Sequence, residues 1–170
     1  MKNILLVEDE YLIAQAEKLG LQAEGYSVTH VGRGEDAVNA ALAPDADFDI
    51  VLMDVNLGAG IDGPEAARRI LAERDLPVIF LSSHTEKQVV ELTRGIGSYG
   101  YIPKSAGSAV LNASLRMAFQ LAQAHAQLRE REAVLAVSER KYRTLFESMQ
   151  EGFALHEAVR DETGRMADYV

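Results

Sequence analysis

The chain has 170 residues, 48% of them hydrophobic, which suits one domain of common size with an extension and a sizeable core. No apolar run approaches the ~18 residues a membrane span requires, and MKNILLVEDE at the start turns acidic too soon for a secretory leader. With no cysteine there is neither a disulfide framework nor a thiolate metal site, and a net charge of −9 argues against a nucleic-acid-binding face, so a soluble cytoplasmic protein is expected.

Short apolar runs alternate with helical patterns along the first two thirds of the chain. Strand-like runs are Ile4–Val7, Tyr26–Val31, Phe48–Met53, Val78–Leu81 and Tyr99–Ile102. In the first intervening stretch Leu12, Ala16, Leu19 and Ala23 recur at helical spacing and predict a core-facing stripe; Ala66, Ala67, Ile70 and Leu71 do so in the third. Gly32-Arg33-Gly34 is a lone glycine pair that reads as the opening of the second helix. Asp62-Gly-Pro-Glu65 has the form of a helix start, and Thr85-Glu-Lys-Gln88 that of a capping box opening a fourth helix. Five strands alternating with five helices predict an α/β fold, a doubly wound five-stranded parallel sheet covered on both faces. In such sheets ligands bind beyond the carboxyl ends of the strands.

The residues just past each strand therefore carry the functional signal. Glu8, Asp9 and Glu10 come after the first, Asp54 and Asn56 after the third, Ser82 and Ser83 after the fourth, and Pro103 and Lys104 after the fifth. Crowded carboxylates repel one another unless they are protonated or bridged by a cation. With only hard oxygen ligands available, Mg²⁺ is the natural bridge. A metal beside Asp54, an ammonium from Lys104 and a short donor from Ser82 are the parts that phosphoryl transfer needs. Taken singly, Glu8 and Asp9 read as helix-capping acids, Ser82 as a strand-end hydroxyl and Lys104 as a solvated lysine. Their convergence on one sheet edge favours the phosphoryl site.

The segments ILLVEDE (4–10), DIVLMDVNL (49–57), DGPEAA (62–67), PVIFLSS (77–83) and GYIPKS (100–105) resemble, in order and spacing, the receiver domain of two-component response regulators, over about residues 1–121. The resemblance implies the flavodoxin-like receiver fold and an Asp54 that accepts a phosphoryl group from the phosphohistidine of a histidine kinase or phosphotransfer protein. It implies that Asp9 and Asp54 hold Mg²⁺, with the Asn56 backbone carbonyl as a further ligand and Glu8 acting directly or through water. Ser82 and Lys104 take the positions of the switch hydroxyl and the phosphate-binding lysine, and Tyr101 that of the switch aromatic. Asn56 and His84 occupy positions that influence phosphate lifetime in the family. Two departures stand out: Pro103 precedes Lys104 rather than following it, and the loop after Asp54 (VNLGAGIDG) is long.

Beyond the fifth strand a helix starting near Ser108 meets neither Gly nor Pro until Gly152. Leu121, Leu128, Leu135, Tyr142 and Met149 recur every seven residues, as one seam of a coiled coil requires, and favour a dimeric signalling helix over one folded back on its own domain. SERKYRTLFESMQEGFALHE (138–157) resembles the opening of a PAS sensor domain, here truncated. The expected organisation is a receiver over 1–121, a linker helix over 122–146 and the start of a PAS-like domain over 147–170, in a longer protein carrying a kinase or cyclase output. The expected function is a phosphorylation-controlled switch that relays its state through the C-terminal helix and catalyses only its own phosphorylation and dephosphorylation. Two alternatives remain open: a receiver fold serving only as a dimerisation platform, and a Mg²⁺-dependent phosphohydrolase. The second lacks the general acid that such enzymes carry two residues after the nucleophile, where Asn56 stands.

Overall fold

A computed structural model describes residues 1–83, 96–150, 158–160 and 166–169. Residues 1–124 form one compact unit and residues 125–170 a second. In the first, β1 (Asn3–Val7), α1 (Tyr11–Ala23), β2 (Ser27–Val31), α2 (Gly34–Leu42), β3 (Ile50–Asp54), α3 (Gly63–Glu73), β4 (Val78–Ser82) and β5 (Gly100–Pro103) succeed one another. A 3₁₀ turn, Lys104–Ala106, then leads into a long helix, Gly107–Gln150. All five strands are parallel, in the order β2-β1-β3-β4-β5. The doubly wound sheet and the long C-terminal helix agree with the expectation from sequence. His84 and the Thr85–Gln88 capping box lie outside the described residues.

Strand alternation divides the core in two. Leu5, Val7, Val51, Met53, Val78 and Phe80 pack with Ala37 and Ala41 of α2 and with Ala66, Ala67 and Ile70 of α3. Ile4, Leu6, Ile50, Leu52, Ile79 and Leu81 face the other way, onto Leu21 of α1 and Leu115 and Ala118 of the long helix. Because β1, β3 and β4 are covered on both faces, every residue from Ile50 to Asp54 and from Val78 to Ser82 is buried. Each fully buried aliphatic side chain contributes about 1.5–3 kcal/mol.

The helix starts obey local chemistry. Asp62 accepts the backbone N–H of Glu65 at 2.8 Å, and Pro64 stands in the first turn of α3, where its missing N–H costs nothing. Arg33 precedes α2, so the glycine pair does open that helix.

The first helix overturns one expectation. Its buried residues are Ala14 and Leu21, whereas Leu12 is 81% and Leu19 66% exposed and Ala16 and Ala23 are exposed as well. Leu12 and Ala14 stand about 200° apart around a 3.6-residue helix. The regular apolar row therefore points to solvent, and the opposite row, broken by Glu17 and Lys18, faces the sheet. Spacing alone selects a stripe but not the side on which the sheet lies.

In the second unit, β6 (Ala158–Arg160) and β7 (Met166–Tyr169) pair antiparallel. Among the described residues no helix is long and apolar enough to cross a membrane.

Candidate phosphoacceptor site

The strand order reverses between β1, which pairs with β2 on one side, and β3 on the other, and the acids sit at the carboxyl ends of these two strands. The register places Val7 beside Met53, so Glu8, Asp9 and Asp54 emerge together. One carboxylate oxygen from each lies within 4.8 Å of the others. Glu8 and Asp54 are buried, whereas Asp9 is exposed at the mouth.

Lys104 enters from the fifth strand. Its Nζ donates to Glu8 Oε2 at 2.5 Å and to Asp54 Oδ2 at 2.8 Å, tying residues 96 and 50 positions away in the chain. Burial pushes the Glu8 carboxyl above its ordinary range; the Lys104 hydrogen bond opposes that rise and the charge of Asp54 reinforces it. Burial also disfavours the Lys104 ammonium, but its hydrogen bonds to Asp54 and Glu8 outweigh this and hold its pKa above the ordinary lysine value. Lys104 is therefore a fixed positive charge between two carboxylates.

Backbone donors complete the site. Asn56 N–H donates to Asp54 Oδ1 at 3.2 Å, Glu10 N–H to Glu8 Oε1 at 3.3 Å, and Gly58 N–H to Asp9 Oδ2 at 3.0 Å. His30 Nε2 lies 2.8 Å from the Glu8 carbonyl oxygen, which can only accept, so that nitrogen carries the proton. The long loop after Asp54 is tied down in turn, because Glu35 in the first turn of α2 accepts Ile61 N–H at 3.0 Å. Gly63 lies so close to Asp54 that any Cβ there would overlap the Asp54 carbonyl oxygen.

Ser82 is buried at the end of β4, one residue beyond Leu81, which is Asp54's partner, and opposite Pro103. Tyr101 is half-buried opposite Phe80 and packs on the α2–α3 side of the core, the side that Phe80 and, by strand alternation, Ser82 also face. The structure thus brings Glu8, Asp9, Asp54 and Lys104 together, with Asn56 supplying a backbone donor. His30, Glu35, Gly58 and Gly63 were not singled out from sequence. Only the Gly at the foot of the Asp62-Gly-Pro-Glu65 start carried a signal, since a glycine inside a helix start implies a close backbone approach.

Residues 4–116 match the response regulator receiver domain family. The chain belongs to that family. It is 36% identical to the transcriptional regulatory protein CseB of Streptomyces coelicolor over 114 residues, 67% of this chain and 47% of that protein. The chain spans about half the length of the curated relatives it matches. The N-terminal domain of a response regulator/sensory box/GGDEF three-domain protein from Carboxydothermus hydrogenoformans superimposes with a TM-score of 0.68 at 40% identity, covering 74% of this chain and 99% of that one. The receiver domain of sensor histidine kinase PA1611 from Pseudomonas aeruginosa, with a magnesium ion coordinated in its active-site cleft, gives 0.64 at 30% identity, covering 70% and 98%. Receiver domains bind Mg²⁺ at an acidic site, interact with histidine kinases or phosphotransfer proteins, and promote their own phosphorylation.

The residues present fit such an ion. Three carboxylates converge, all donors are hard oxygens, and Lys104 supplies one positive charge against three negative ones.

Proposed function

We propose that this receiver takes a phosphoryl group from a phosphohistidine onto Asp54 and uses it as a signalling switch. The observation that carries this is the Lys104 ammonium held against a buried Asp54 carboxylate at the end of a central strand. In the transfer an Asp54 oxygen bonds to phosphorus as the phosphorus–nitrogen bond breaks, and the imidazole leaves with the electron pair. Lys104 donates to a phosphoryl oxygen and replaces its Asp54 contact with one to the phosphate. The N–H of Asn56 orients the carboxylate through Oδ1. Glu8, Asp9, Asp54 and the Asn56 carbonyl would hold Mg²⁺, which when bound neutralises charge on the phosphoryl oxygens.

The switch reading assigns Ser82 as the hydroxyl that moves toward the phosphate and Tyr101 as the aromatic that moves with it, biasing a two-state domain. Their common side of the sheet supports this coupling. His84 and Asn56 are assigned to phosphate lifetime. The output is a dimeric relay through the long helix into a PAS-like module. The exposed Leu121, Leu128, Leu135 and Tyr142 support that seam, and the sensory-box neighbour supports the domain order. The acidic charge balance and the short apolar runs fit a cytoplasmic protein that does not itself contact nucleic acid.

The test is intact mass after incubation with a small acyl phosphate and Mg²⁺. One added phosphoryl group, absent in Asp54→Asn, is expected. No adduct under donor excess would favour the dimerisation platform. Sedimentation of Leu128→Lys and Leu135→Lys separately tests the seam, with loss of the dimer expected.

A further inference from the structure

A cavity of about 220 Å³ lies beside α1, the end of β5 and the start of the long helix. It is distinct from the acidic site, although Lys104 borders both. Leu21, Leu81, Ile102 and Leu111 make its walls apolar. Its polar lining is Glu17 from α1, Lys104 after β5, and Ser108 and Asn112 from the long helix. Two of these are incomplete: Glu17 Oε2 and Asn112 Oδ1 are buried with no hydrogen-bond partner. Asn112 is only 6% exposed, so bulk water does not serve it.

Two orphaned acceptors on one small cavity ask for a donor, because each unpaired buried acceptor costs about 1–3 kcal/mol. The charges nearby say which donor. One of the two orphaned acceptors is a carboxylate oxygen, that of Glu17, and Lys104, the ammonium on this lining, is already committed to Glu8 and Asp54. A cation is favoured over a neutral donor. The walls favour one that brings hydrocarbon with it, and the volume, below the roughly 300–1,000 Å³ of drug-sized ligand sites, limits it to a few heavy atoms.

We propose that this cavity binds a small primary ammonium ion with a short alkyl tail, Glu17 and Asn112 accepting its N–H donors and the apolar walls covering the tail. Burial, reinforced by the charge of Glu8, raises the Glu17 carboxyl to about 7, as befits a carboxylate lacking its counter-ion. Binding therefore favours the ionised carboxylate and strengthens as pH rises through that value.

The test is a two-dimensional amide NMR titration of the full chain with butylammonium chloride, with 1-butanol and sodium chloride as controls. Saturable shifts confined to residues 16–21 and 107–112 are expected, about tenfold weaker one pH unit below 7 than one unit above, and absent with 1-butanol. Glu17→Gln is expected to abolish them while keeping the fold, since the amide has nearly the shape of the carboxyl and carries no charge; an unchanged amide spectrum elsewhere checks that. Asn112→Leu gives a second, independent loss. No saturable response would mean that ordered water satisfies the two acceptors, and overturns the proposal. Shifts centred on residues 8–9 and 54–56, or equal binding of 1-butanol, overturn it too. Tighter binding of Nα-acetyl-lysine amide than of butylammonium would assign the cavity to a partner's side chain and reject a free ligand. None of these outcomes depends on phosphorylation of Asp54.

Discussion

The Nζ of Lys104 stands 2.5 Å from Glu8 Oε2 and 2.8 Å from Asp54 Oδ2, so a single ammonium holds two buried carboxylates that would otherwise repel each other. It makes Lys104 a structural element of the site as well as a ligand for the incoming phosphate.

Replacing Lys104 with Met leaves Glu8 and Asp54 unpaired. Breaking a buried pair from one side costs up to ~3–5 kcal/mol, and the partial exposure of Lys104 lowers the expectation to about 1–3 kcal/mol. Urea unfolding with and without Mg²⁺ measures this. The loss is expected to shrink when the ion is added, because a second cation can neutralise the same carboxylates, and phosphorylation is expected to slow.

Glu17 gives the domain a pH dependence of unusual sign. Its folded pKa is raised from 4.5 to about 7, so the folded state binds more protons than the unfolded state between those values. Stability therefore falls as pH rises through this window, and the loss persists above it. The limit is about 3 kcal/mol, at 1.36 kcal/mol per pKa unit, and solvent screening of this partly exposed group lowers the expectation to about 1–2 kcal/mol. Chemical denaturation across this range should show the slope in the wild type and lose it in Glu17→Gln.

Glu35 latches the loop that comes after the phosphoacceptor. Glu35→Ala removes the acceptor of Ile61 N–H and is expected to raise amide exchange at Gly58–Ile61 well above that of the β-strands. Hydrogen exchange read by mass spectrometry would show it. Unchanged exchange in that loop would mean the latch is dispensable.

Gly63→Ala tests how tightly α3 is pressed on the site. Its Cβ would overlap the Asp54 carbonyl, so either the helix or the end of β3 must move, at a cost of about 1–3 kcal/mol. Thermal unfolding measures the cost, and the phosphorylated fraction in the acyl-phosphate assay is expected to fall with it.

The orientation of α1 predicts opposite outcomes for two leucines of one helix. Leu12→Asp is expected to change stability by less than about 0.5 kcal/mol, whereas Leu21→Ala should cost about 2–5 kcal/mol. Urea midpoints distinguish this from the reverse, which regular apolar spacing alone would suggest.

Much of this protein is legible in its sequence. Continuous apolar runs such as Ile50–Met53 announce strands covered on both faces, Asp62-Gly-Pro-Glu65 announces a helix start, and alternation of the two leads to a parallel sheet whose carboxyl edge holds Glu8, Asp9, Asp54, Ser82 and Lys104. Those signals are local, set by side-chain chemistry within a few residues. Tertiary structure decided the rest. It turned Leu12 and Leu19 to solvent, because the sheet, and not the helix, determines which side is inside. It joined Lys104 to Glu8 across 96 positions, set Glu35 under the loop, and left Glu17 and Asn112 as acceptors without donors on a common cavity. Pairings of that kind arise from where the chain returns in space, which no spacing along it encodes.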